Sequence, residues 1–180
     1  TAAQPEFEAM RPPGVTNQTA RILTPLIPLV DEASFVTHVN TMRSGISAAV
    51  AQIVTCRPDH LIMGLSLETF WDGLEGSRAL RESLEKQAGC GVSMGSDAIL
   101  AALSAYGRVR RIAIVTPHPP LGNQKVRAFF TEAGYEVVRL LGLQRIYVGI
   151  DPSTWDPDLG VDPGTVGRGL ETGIVVAGID

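Results

Sequence analysis

Three short stretches of the 180-residue sequence carry groups suited to holding a small anion. They are Gly64-Leu65-Ser66, Ser96, and Thr116-Pro117-His118. Each follows a strand-like run: Leu61-Ile62-Met63, Cys90 to Met94, and Arg111 to Val115. In an open α/β sheet, backbone N–H groups at strand ends and helix N-termini face one crevice. Neutral donors gathered there suit an anionic ligand, because charge needs dipoles already aimed at it. The expected substrate-binding set is Gly64, Leu65, Ser66, Ser96, Thr116 and His118. The Leu65 and Ser66 amides and the three hydroxyls would surround the anion. His118 is also the candidate for catalytic proton transfer, since imidazole titrates near neutral pH.

Plainer roles stand beside these. Gly64 could serve turn geometry alone, Ser66 and Ser96 could be helix caps, and His118 could be an exposed loop residue between prolines. Glu68 and Asp72 read as a solvated helix start, where negative charge suits the helix dipole. Phe70 and Trp71 read as packing. Cys56 falls at a helix end, and Cys90 starts a strand on the side away from the site, so neither stands at a catalytic position.

The elements that must position these residues alternate. Pro5 to Met10 is a short helix candidate stopped by Pro12-Pro13. Ile22 to Val30 carries Pro25 and Pro28, which demotes it to an edge strand or extended segment. The first long helix spans about 34–55, with Phe35, Val39, Met42, Ile46, Val50 and Ile53 stepping by three or four. Asp31 or Ser34 can cap it, and Arg57-Pro58 ends it. After the 61–66 strand and turn, a second helix is expected over about 69–87. A strand at 90–94, a helix over 96–106 with Ser96 as N-cap, a strand over 111–115, a helix over 122–133 and a strand over 135–141 complete the series. This order predicts an α/β fold with a mainly parallel sheet and right-handed crossovers.

Composition bounds the function. The chain is 44% hydrophobic and 19% charged, with net charge −4. It can bury a core, and it has no basic stripe for nucleic acid. No apolar run approaches the roughly 20 residues of a membrane span, and no signal peptide opens it. Two cysteines make no disulfide framework, so the expected compartment is the cytoplasm.

The stretch from His60 to about Leu143 resembles the aspartate/glutamate racemase superfamily, in particular its maleate isomerase and arylmalonate decarboxylase branch. The likeness rests on Met63-Gly64-Leu65-Ser66-Leu67 to Phe70, on Ser96-Asp97-Ala98-Ile99-Leu100, and on Val109 to His118 with Asn123 and Phe129 after it. Residues 4–21 are similar to the segment following that family's first strand. The resemblance implies Rossmann-like units in two pseudo-symmetric lobes, with the site between them and no metal or organic cofactor. It also implies one cysteine from each lobe. Gly64 stands where decarboxylase-like members replace the first, and no cysteine follows Cys90. An amino-acid racemase would need two opposed acid/base groups, and Gly64 removes one.

On this reading residues 1–107 form a first lobe lacking its first strand, and 108–146 begin an incomplete second lobe. Residues 147–180 are an atypical tail rich in Gly, Pro and Asp, where only 172–177 looks like a strand. The break near residue 145 suggests a fragment or a shifted reading frame. The expected function is a cofactor-independent isomerase or decarboxylase of a small carboxylic acid. The alternative is a non-catalytic carboxylate-binding or vestigial domain. A small acid is the expected partner, with no nucleic acid or membrane, and a homo-oligomer is left open.

Overall fold

A computed structural model describes residues 3–25 and 28–142, and the backbone of 175–178. The fold is α/β. Helix α1 is Ala3–Ala9 and α2 is Glu32–Ile53. Strand β1 (His60–Met63), α3 (Gly73–Ala88), β2 (Gly91–Met94) and α4 (Gly95–Ala105) follow. Then come β3 (Arg111–Thr116), α5 (Pro120–Glu132), β4 (Glu136–Gly142) and β5 (Val175–Gly178). β1 and β2 pair in parallel, with Met63 beside Met94. β3 pairs in parallel with β4 and antiparallel with β5. Except for β5, the tail proposed at 147–180 lies outside the described residues. Among the described residues of 22–30, no strand forms, as two prolines would dictate.

Local chemistry explains α2. Asp31 is its N-cap and accepts from the Ser34 N–H at 2.8 Å, while the Ser34 hydroxyl accepts from the Asp31 N–H at 3.0 Å. This reciprocal box satisfies two helix-end donors at once. The three later helices also start elsewhere than the sequence suggests. The second, expected from 69, is instead a 3₁₀ turn at Leu67–Thr69 followed by α3 from Gly73. Between them Phe70 and Trp71 are drawn into the core. Gly73 then adopts φ +72, and the α3 start is capped by Glu132, whose carboxylate accepts from the Leu74 N–H at 2.7 Å. Helix α4 starts at Gly95 with Met94 in the cap position, so Ser96 is not its cap. Helix α5 starts at Pro120, where a proline suits the first turn.

Two apolar clusters hold these parts. The smaller one joins Ile46 and Val50 of α2 to Met63, Leu84, Val92 and Met94. The larger one joins Phe35 and Val39 to Leu67, Phe70, Ile112, Ile114, Phe129 and Phe130. Phe70 meets Phe129 edge-on at 4.8 Å between ring centroids, and Phe129 meets Phe130 at 5.3 Å. Each fully buried phenylalanine contributes roughly 1.5–3 kcal/mol. The β1–α3 connection is thus pinned to α5, and that sets where its polar residues point.

Candidate functional site

The turn after β1 borders a hollow of about 250 Å³. Gly64, Leu65, Ser66, Leu67 and Glu68 form one wall. Phe35, His38, Val39 and Met42 of α2 form another, and His118 closes it from the β3–α5 loop. Among the described residues, five side-chain atoms around this hollow are buried without a hydrogen-bond partner: Ser66 Oγ, Glu68 Oε1, His38 Nδ1, and both ring nitrogens of His118. Buried polar groups are normally paired, so such a concentration marks a place built for something polar to enter.

His118 is buried rather than exposed, at 5% of its free surface. Desolvation lowers its pKa to about 4, so the ring is neutral at pH 7 and offers one donor and one acceptor. The backbone around it is clamped. The His118 N–H donates to Thr116 Oγ1 at 3.1 Å, and the Asn123 amide donates to the His118 carbonyl at 3.1 Å. The Thr116 hydroxyl in turn donates to Asn123 Oδ1. Gly122 leaves room for this loop: a Cβ there would lie 2.9 Å from the His118 Cβ.

Glu68 departs furthest from the sequence reading. It is 4% exposed, not a solvated helix residue. Desolvation raises its pKa, against the opposing effects of its own backbone amide and Arg43. Asp72 does stay exposed, paired with Arg43.

The structure therefore brings Gly64, Leu65, Ser66 and His118 to one hollow, but not Ser96 or Thr116. Ser96 is fully buried, with its Oγ 2.9 Å from that of Ser77. Thr116 is spent on the His118 clamp. The Ser66 side chain does not cap the 3₁₀ turn that follows it, which leaves its hydroxyl unengaged. Cys56 is exposed and Cys90 half-buried, and neither lines the hollow. A second hollow, about 410 Å³, lies against the same turn between α1 and α4. Among the described residues no group of three or more His, Cys, Asp or Glu side chains is placed to hold a metal, and no helix is long and apolar enough to cross a membrane.

Sequence reasoning missed Glu68 and His38. His38 had a usable signal, since it lies three residues after Phe35 on the stripe that continues to Val39 and Met42. Glu68 had none, because its burial is set by contacts among segments distant in sequence, α2 and the β3–α5 loop among them.

Fold and hollow define an open α/β protein with a partly polar hollow beside the turn after β1. The model of the arylmalonate decarboxylase family matches residues 33–150, about two thirds of the chain, and the chain belongs to that family. No curated protein sequence matches it. Among solved structures, a cysteine-to-serine mutant of Nocardia farcinica maleate cis-trans isomerase with a covalently bound succinylcysteine intermediate superposes with a TM-score of 0.65. It is 17% identical over 79% of this chain and 58% of that one. A glycine-to-cysteine mutant of arylmalonate decarboxylase in a sulfate-associated form gives 0.56, at 19% identity over 71% and 52%. Maleate isomerase from Pseudomonas putida S16 with maleate gives 0.54, at 18% over 59% and 45%. These likenesses are of fold. The chain spans about half the length of the solved relatives it matches.

Proposed function

We propose that the protein is a cofactor-independent decarboxylase or isomerase of a small dicarboxylic acid, with decarboxylation favoured. The observation that carries this is the set of unpartnered buried polar atoms on one apolar hollow: the Ser66 hydroxyl and the His118 ring beside the Leu65 and Ser66 backbone. One substrate carboxylate lies against these donors. Loss of CO₂ from the other leaves an electron pair that delocalises onto the held carboxylate, and neutral donors stabilise that charge. Phe35, Val39, Met42, Leu65 and Leu67 take the apolar part of the substrate and keep water away from the departing carboxylate.

Decarboxylation is favoured over cis–trans isomerisation for a chemical reason. Rotation about a carbon–carbon double bond requires its temporary loss, usually by addition of a nucleophile. Neither cysteine of this chain lines the hollow. The same fact supports a second reading, a domain that binds small carboxylates without turning them over.

Incubating the purified protein with phenylmalonate and with maleate separates the readings. Carbon dioxide release from phenylmalonate that falls about 10²–10³-fold in Ser66→Ala supports the enzyme, on the scale of one lost oxyanion donor. Saturable binding of either acid without turnover supports the binding domain.

A further inference from the structure

Glu68 is the acidic side chain on the wall of the hollow, and holding a carboxylate gives it nothing to do. A carboxyl group among Phe35, Val39 and Leu67 is costly to bury without partners. Among the described residues its Oε1 has none, the residue is 4% exposed, and its own backbone amide and Arg43 offset only part of the burial. The nearby guanidinium of Arg43 is engaged by Asp72. The local fold does not depend on the acid either. The 3₁₀ turn is closed by the Thr69 N–H on the Ser66 carbonyl at 3.1 Å and the Phe70 N–H on the Leu67 carbonyl at 3.0 Å. The Thr69 hydroxyl adds a bond to the Ser66 carbonyl at 2.7 Å.

We infer that Glu68 is the acid that delivers a proton to the substrate α-carbon, so that the hollow, which neither Cys56 nor Cys90 lines, carries out decarboxylation with a carboxyl group. This rests on the decarboxylase reading above and names the proton donor that it lacks. The step balances. The bond between the α-carbon and one carboxylate breaks, CO₂ leaves, and the electron pair passes into the remaining carboxylate as an enediolate. The O–H bond of Glu68 then breaks, its proton forms the new C–H bond, and the enediolate returns to a carboxylate. Glu68 regains a proton from water, so one proton is taken up for each CO₂ released.

Electrostatics fits this order. Burial already favours the protonated acid, and a bound dianion adds like charge that favours it further. That like charge drops as CO₂ departs, and the acid then faces a basic carbon. His118, kept neutral by burial, does not compete as a cationic acid at pH 7. A protonated carboxyl is a poor nucleophile, so the same assignment expects no cis–trans isomerisation of maleate.

The test uses the whole protein and a malonate bearing phenyl and methyl groups on its α-carbon, so that the product is chiral. Glu68→Gln keeps size and hydrogen bonding but has no acidic proton. The expected result is a kcat loss of about 10²–10⁴-fold, the usual scale for a general acid. KM should stay within about threefold and the melting temperature should be retained, with the enantiomeric excess of the residual product collapsed. If Glu68→Gln does not fold, Glu68→Asp decides, since its acid is withdrawn by one methylene. Wild-type kcat and enantiomeric excess in whichever variant folds overturn the assignment while leaving the decarboxylase reading standing. No CO₂ release by the wild-type protein overturns both.

Discussion

Asn123 grips both ends of the bend that carries His118. Its Oδ1 accepts from the Thr116 hydroxyl, and its amide donates to the His118 carbonyl. A residue on the first turns of α5 thereby sets the direction of an imidazole on the preceding loop. Asn123→Ala removes both bonds and leaves a carbonyl and a hydroxyl short of partners. The expected cost is about 1–3 kcal/mol in a urea titration. Any activity on a malonate should fall further than that of Thr131→Ala, whose hydroxyl bonds only within α5 at 2.9 Å. Equal stability and activity in the two variants would remove the clamp from the account.

Ser77 and Ser96 are each other's buried partner. Either one changed to Ala leaves the other hydroxyl unsatisfied, at about 1–3 kcal/mol each. The double variant should lose clearly less than the sum, because the orphan is gone. Strict additivity in chemical denaturation would contradict the pairing. Ser96 does not line the hollow, so the KM for a malonate should be unchanged within about twofold in Ser96→Ala; a larger rise would return Ser96 to the substrate-binding set.

The start of α3 depends on Gly73 and Glu132. Gly73→Ala places a methyl group in the left-handed region, which costs about 1–2 kcal/mol, and pushes it against the Glu132 carboxylate. Glu132→Ala removes the cap on the Leu74 amide, on the scale of about 0.5–2 kcal/mol for a lost N-cap. Thermal melts of both variants check this. A Gly73→Ala protein as stable as wild type would mean that the turn is not strained.

Acid should weaken the fold through His118. Its pKa is 6.5 in the unfolded chain and about 4 in the folded one. Between those values the unfolded chain binds a proton that the folded chain refuses, so stability rises with pH across the window and is lost as pH falls through it. The full effect is roughly 3 kcal/mol. Glu68 acts in the opposite sense. Its folded pKa is raised, so above the unfolded value of 4.5 stability declines as pH rises until the buried acid ionises. Urea midpoints at pH 4.5 and 7 should show His118→Asn less acid-sensitive than wild type. An unchanged acid response in that variant would place the acid sensitivity elsewhere.

Much of the frame is legible in local chemistry. Asp31, Ser34 and the stripe from Phe35 to Val50 specify α2, since cap and periodicity act within a few residues. The alternating order of helices and strands gives the α/β class, and Gly64-Leu65-Ser66 marks the turn beside the hollow. Contacts across long separations decided the rest. Phe70 packs on Phe129 and Phe130, and nearby Glu68 is buried along a hollow that a strip of α2 completes. Ser77 claims Ser96, Asn123 claims Thr116, and Glu132 caps a helix 58 residues away. A hydroxyl or carboxyl reads the same in the sequence whether it faces water, a partner or an empty cavity. Only burial and partner geometry distinguish these cases, and both arise when distant segments meet.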